Sequence, residues 1–121
     1  MKYLFICMII FPLLCSAQQR SILGIEIAKK ELKQALLDRT NKTTSIKNVI
    51  SDKQTAIAMA ELILFKIYGQ KQIISERPYE VYLINGYWVL NGTLPKGSDG
   101  VGFLIILNSN NGQVIKLIHY K

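Results

Sequence analysis

Asn85-Gly86 lies between two runs of β-branched and aromatic residues, and no other feature narrows the possible folds of this chain as much. The runs are Arg77-Pro78-Tyr79-Glu80-Val81-Tyr82-Leu83-Ile84 and Tyr87-Trp88-Val89-Leu90-Asn91-Gly92-Thr93. A type I′ turn needs positive φ at both central positions, which Asn-Gly supplies, so the segment reads as a β-hairpin. A two-residue turn sets the register: Ile84 pairs with Tyr87 and Leu83 with Trp88. One face then carries Tyr79, Val81, Leu83, Trp88, Leu90 and Gly92, and is expected to pack on helices. Tyr79 lies opposite Gly92, where its ring covers the gap left by the glycine. The other face carries Glu80, Tyr82, Ile84, Tyr87, Val89 and Asn91. Aromatic rings with polar tips on a half-exposed face suit a protein partner. Ordinary cross-strand packing is the alternative for this second face.

The remaining elements follow from periodicity. Ser21 to Asp38 reads as a first helix, with Ile22, Ile25, Leu32, Leu36 and Leu37 near helical spacing. Thr40 to Ser45 is polar and reads as a loop. The second helix starts with Ser51 as N-cap and Gln54 three residues on, a capping box. Asp52 places negative charge in its first turn. Ala56, Ile57, Ala60, Ile63, Leu64 and Ile67 form its apolar stripe, and Gly69 ends it as a left-handed C′ residue. Beyond Gly69 the period falls from 3.6 to 2. Gln72 to Ser75 reads as a short edge strand, Phe103 to Asn108 as a strand apolar on both faces, and Val114 to His119 as the last strand, after the Asn111-Gly112 turn. The expected class is α+β: two helices on a curved antiparallel sheet of about four strands.

The first residues have the layout of a secretory signal peptide. Lys2 precedes the apolar run Tyr3 to Leu14, and Cys15-Ser16-Ala17 puts small residues at positions −3 and −1. The run is shorter than the roughly 20 apolar residues of a membrane-spanning helix. Residues 1–17 are thus read as the leader, 18–50 as an N-terminal helix and polar loop, and 51–121 as the α+β domain. Lipidation at Cys15 is the less fitting alternative, because Leu14 and Pro12 stand where small residues are wanted; an uncleaved anchor is another. The expected location is the periplasm or cell envelope. Both cysteines, Cys7 and Cys15, fall in the leader, so the mature chain would have no disulfide and no thiolate site.

Charge excludes some partners and favours others. The full chain has 15 basic and 8 acidic residues, a net charge of +7. Its densest basic patch, Lys29, Lys30 and Lys33, is interleaved with Glu26 and Glu31, so no tract for nucleic-acid phosphates is present. A solvated helix face is one reading. Attraction to an acidic protein or an anionic envelope surface is the other.

Catalytic patterns are missing from the sequence. The one histidine, His119, reads as a strand-end surface residue, and no His, Cys and carboxylate set has the spacing of a metal site. No serine lies in a nucleophile motif. Gly97 to Gly102 lacks the Lys and the helix start of a phosphate loop. No cofactor is expected and no enzyme activity. Glu61, the one acid inside the second helix, either faces solvent beside Lys53 and Gln54 or aims into a pocket, with Tyr79 and Trp88 as the other pocket candidates. Pro78 biases Arg77 towards an extended conformation. Arg77 is then read either as a local ion pair with Glu76 or as an anchor for an anion.

From Ser51 onward the chain resembles the NTF2-fold immunity proteins of bacterial polymorphic toxin systems. The residues that carry the resemblance are the Ala-rich helix ending Tyr68-Gly69, Arg77-Pro78-Tyr79, Asn85-Gly86-Tyr87-Trp88-Val89 and Gly92-Thr93-Leu94-Pro95. Gly100 to Phe103, Asn111-Gly112-Gln113-Val114 and Ile118-His119 complete it. The resemblance implies an NTF2-like, cystatin-like cone of helices against a sheet, and protection through binding a cognate toxin. Arg77, Glu80, Tyr82, Tyr87 and Asn91 are the partner-facing expectation. Family members usually show adjacent glycines before the Phe strand, whereas Val101 here separates Gly100 from Gly102. The alternative from another class is an envelope protein holding a small ligand in the cone, with or without isomerase or hydrolase activity.

Overall fold

A computed structural model describes residues 20–37 and 47–120. The expected leader and the whole expected polar loop at 40–45 lie outside the described residues. The chain divides into two units, Met1–Arg39 and Thr40–Lys121. In the first, α1 spans Ile25–Leu37 and so starts four residues after the expected Ser21, and a Glu26–Lys29 ion pair of 3.1 Å lies on its surface. None of its residues is buried within that unit.

The second unit contains α2 (Lys53–Tyr68), α3 (Gln70–Ile74), β1 (Glu80–Ile84), β2 (Tyr87–Asn91), β3 (Phe103–Asn108) and β4 (Val114–His119). The strands form one antiparallel sheet in the order β1-β2-β3-β4, a meander in which each strand pairs with the next. Tight turns join β1 to β2 and β3 to β4, the longer connection 92–102 joins β2 to β3, and antiparallel neighbours linked in this way require no crossover. Asn85 and Gly86 have φ of 49° and 81°, and Leu83 pairs with Trp88, Ile84 with Tyr87. The Asn-Gly turn and the hairpin register are as the sequence predicts.

Local chemistry moves the start of α2 by one residue. Asp52, not Ser51, is the N-cap: its carboxylate accepts the Thr55 backbone N–H and the Thr55 hydroxyl, each at 2.8 Å. Thr55 satisfies the cap with two donors, so the Ser51–Gln54 box is not used. The Thr55 amide bond holds the Asp52 carboxyl below its usual range, with the Thr55 hydroxyl adding to it. Gly69 does have positive φ, 91°, but its ψ of 140° is not left-handed helical. It turns the chain straight into α3, where a strand was expected at 72–75. The reason is spacing: a helical turn puts Ile73 and Glu76, three apart, on one buried side, whereas a strand would have split them.

Inner-face rows run across the sheet. Val81, Leu90, Ile105 and Leu117 form one, and Leu83, Trp88, Leu107 and Val114 another. Trp88, Leu90, Phe103, Ile105 and Leu107 pack with Ala56, Ala60 and Leu64 of α2 and Ile73 of α3 in the core. The small Ala56 and Ala60 let α2 lie close to the sheet, which it approaches over β2. Leu83 departs from the expected core assignment: it is 54% exposed, because β1 is an edge strand with no neighbour on its outer side. Residues before 51 also join this unit. Val49 and Ile50 donate to the carbonyls of Asn110 and Ser109, and Ile50 is fully buried. Trp88 Nε1 donates to the Ile50 carbonyl at 2.9 Å, which satisfies the indole in the core.

A buried carboxylate completes the core. Glu76 is fully buried in the turn after α3, and Oε1 accepts the Phe103 backbone N–H at 2.8 Å. Oε2 lies 3.0 Å from His119 Nε2 and 3.5 Å from Gln72 Nε2, which donates to it. Two glycines make the space. A Cβ on Gly92 would lie 2.6 Å from Glu76 Oε1, and one on Gly102 would lie 2.9 Å from the Gly92 carbonyl and closer still to the carboxylate. This explains the spacing of Gly100-Val101-Gly102: Gly102 is the glycine pressed on Glu76, while Val101 is exposed. Gly102→Ala is expected to destabilise the fold by about 1–3 kcal/mol through overpacking against backbone that cannot yield. Urea denaturation followed by Trp88 fluorescence measures it, and an unchanged midpoint would contradict the crowding.

Candidate functional site

Two surfaces bring together the residues with potential for recognition. The first is a groove of about 610 Å³ between α2 and the turn that leads into β1. Lys53, Ile57 and Glu61 recur every four residues along α2, and Gln54 and Ala58 form the adjacent row, so helical geometry aligns them along one wall. Arg77, Pro78 and Tyr79 form the other wall. Arg77 donates from Nε and Nη2 to Glu61 Oε1, at 3.0 and 2.6 Å, and Tyr79 donates its hydroxyl to the same oxygen at 2.9 Å.

Three donors on one carboxylate oxygen make a fixed cluster, and hydrogen bonding to Glu61 raises the Arg77 guanidinium still further above neutrality. Burial pushes the Tyr79 phenol up to about 12; the Arg77 bond opposes this and Glu61 adds to it. The phenol therefore stays neutral and donating at any physiological pH. Its folded value exceeds the ordinary 10, so folding favours the protonated ring. The stability this contributes is complete below about pH 10 and is lost as pH rises through about 12. Ultraviolet titration of tyrosinate absorbance is expected to show one late phase that Tyr79→Phe removes. Ionisation of every tyrosine at the ordinary value would contradict the arrangement.

The second surface is the outer face of the sheet. Its rows are Tyr82, Val89, Ile106 and Lys116; Ile84, Tyr87 and Asn108; and Glu80, Asn91, Leu104 and Ile118. Alternation along strands with a filled inner face sends these residues outward. A shallow hollow of about 360 Å³ runs between Ile84, Tyr87, Val89, Ile106 and Ile115. Tyr82, Ile84, Tyr87 and Ile115 are all exposed, and the Tyr82 hydroxyl donates to Glu80 Oε1 at 3.3 Å.

The expected site residues thus separate into two groups. Glu80, Tyr82, Tyr87 and Asn91 share the outer face, but Arg77 belongs with Glu61 and Tyr79 in the groove. Trp88 is not a groove residue; it fills the core with Phe103. Glu61 is the groove carboxylate and not a solvated one. The expected Arg77–Glu76 pair does not form, since Arg77 turns to α2 and Glu76 turns inward to His119. His119 is likewise no free surface residue: it is half-buried, and its ring stacks at 47° and 5.1 Å on Tyr68. The sequence alone places Lys53 only as a polar neighbour of Glu61. Its four-residue spacing to Ile57 and Glu61 was the signal available. Among the described residues, no three His, Cys, Asp or Glu side chains cluster as metal donors, and no helix is long and apolar enough to cross a membrane.

The profile of the NTF2 fold immunity proteins matches residues 55–121. That stretch holds nearly all of α2, the whole sheet and the Arg77–Tyr79 wall. The chain is also similar to two uncharacterised proteins of Escherichia coli K12. It is 30% identical to YhhH and 33% identical to YbbC, each over 78 residues, or 64% of this chain. These alignments span 61% of YhhH and 64% of YbbC, less than two thirds of either relative. No solved structure matches the chain.

Proposed function

The chain belongs to the NTF2 fold immunity protein family, and from that premise we propose that it is an exported inhibitor that binds and neutralises a toxin effector in the cell envelope. The family match over 55–121 carries this reading. Inhibition would be by occlusion: the chain offers contact surface, and its sequence has no catalytic pattern. The outer sheet face is the interface we assign to the toxin. Its exposed Tyr82, Ile84 and Tyr87 form an apolar centre, flanked by Glu80 and Asn91. An apolar centre with a polar margin is how stable protein interfaces are built, and Tyr is favoured there.

The leader layout of residues 1–17 supports export, since an inhibitor has to be where its toxin acts. The ligand-holding alternative is disfavoured by the interior, where Trp88, Phe103, Leu64 and Leu90 fill the space between helix and sheet. The test mixes the purified chain with each secreted effector encoded beside it. One effector is expected to form a stable complex and lose its toxicity, while Tyr82→Glu and Tyr87→Glu prevent the complex and leave the fold intact. If no effector binds, the immunity reading fails; if one binds equally well to both variants, the assigned face is wrong.

A further inference from the structure

We propose that the groove between α2 and Arg77–Tyr79 is a separate docking site for an extended acidic segment of another protein. The segment would lay an apolar side chain on the groove floor and bring a carboxylate to Lys53 and Arg77. This goes beyond the immunity reading and does not depend on it.

Shape, charge and preorganisation each favour this occupant. Ile57, Ala58, Pro78 and the Tyr79 ring give an apolar lining, and about 610 Å³ is within the ordinary range of binding clefts. From Lys53 to Glu61 the α2 wall runs eight residues, about 12 Å at 1.5 Å per residue. That length accepts about three to four residues of extended chain.

The charge balance of the lining is positive: Lys53 and Arg77 against Glu61. Glu61 is already committed to Arg77 and Tyr79 through Oε1. Among the described residues, Lys53 has no carboxylate within ion-pair distance, and Arg77 Nη1 makes no hydrogen bond. The Arg77 side chain is 48% exposed, yet its Nε edge is held by Glu61, so the donors offered to a ligand lose little freedom on binding. A net charge of +7 on the full chain adds long-range attraction for an acidic partner. A nucleic acid would need a longer basic track than two cations beside an apolar floor. A basic segment would be repelled by the same two cations.

The test titrates the isotope-labelled full chain with acetylated Glu-Leu-Glu amide and follows backbone amide resonances. Perturbations are expected in residues 53–61 and 77–79. Gln-Leu-Gln should bind more weakly and Lys-Leu-Lys not at all, and added salt should weaken the acidic peptide. Lys53→Met, at an exposed first-turn position, is expected to weaken binding about two- to fivefold, the worth of one solvent-screened charge contact. Ala58→Trp, also at an exposed position, fills the floor and should abolish the perturbations while far-ultraviolet circular dichroism is unchanged. The proposal is overturned if millimolar peptide leaves those amides unmoved, if perturbations fall only on the outer sheet face, or if the Gln peptide binds as tightly as the Glu peptide.

Discussion

Glu76→Ala is expected to destabilise the sheet-containing unit by about 3–5 kcal/mol, the combined cost of an orphaned buried amide and a cavity. Three losses combine. The Phe103 amide, at the start of β3, is left buried without its acceptor. His119, opposite Phe103 in the β3–β4 register, loses the group that faces its Nε2. A void opens between Gly92 and Gly102, which a side chain of this length was filling. Because Glu76 is fully buried, water does not screen or replace these interactions. In a domain of this size each kcal/mol moves the melting temperature by roughly 4–8 °C. Glu76→Gln keeps the shape and an oxygen for the Phe103 amide, and puts an amide group where Oε2 faces His119 and Gln72. It should cost about 1–2 kcal/mol. Urea denaturation of the two variants separates the contributions: an alanine variant within about 1 kcal/mol of the parent would mean that the carboxylate is dispensable.

Trp88→Ala is the second large effect, expected at about 3–5 kcal/mol from lost burial and the cavity left behind. Trp88 stands at the centre of the inner face, between Leu83 and Leu107 in register and beneath α2. Its indole N–H is also the tie to the Ile50 carbonyl, so it fastens the segment ahead of α2 to the sheet. Trp88→Phe keeps most of the ring and removes that bond, for about 0.5–1.5 kcal/mol. In the phenylalanine variant the Ile50 amide, which donates to Ser109, should exchange faster with solvent than in the parent. Denaturation followed by circular dichroism gives the stabilities, and unchanged Ile50 exchange would contradict the tie. Binding to any partner on the outer face should survive Trp88→Phe, since the ring points the other way.

Patterns confined to neighbouring residues were readable before any fold was known. The Asn85-Gly86 turn gave both the register and the two faces of the hairpin, because a two-residue loop leaves the pairing no freedom. The helical stripe from Ala56 to Ile67 and the strands at 103–108 and 114–119 were read at or near their observed bounds for the same reason: each is a period within one segment. Where two local patterns competed, the reading failed. Asp52 displaced Ser51 because Thr55 offered it two donors, and residues 70–74 became a helix because burial of Ile73 and Glu76 together outweighed the apolar pair Ile73-Ile74 as a strand signal.

The polar clusters could not be read that way. Glu61 meets Arg77 across 16 residues and Glu76 meets His119 across 43, and nothing in either local segment names its partner. Arg77 stands next to Glu76 in sequence and yet the two diverge, one to α2 and one to the core. Gly92 and Gly102 looked like strand-end and loop glycines, and their need for an absent Cβ exists only where Glu76 comes between them. Short-range periodicity determines which segments become helix or strand and which way their side chains alternate. Which charges pair, and hence where Arg77 and Lys53 come together at the groove, depends on packing that joins distant segments. That division explains why the hairpin could be drawn from its residues and its acidic neighbours could not be matched to their bases.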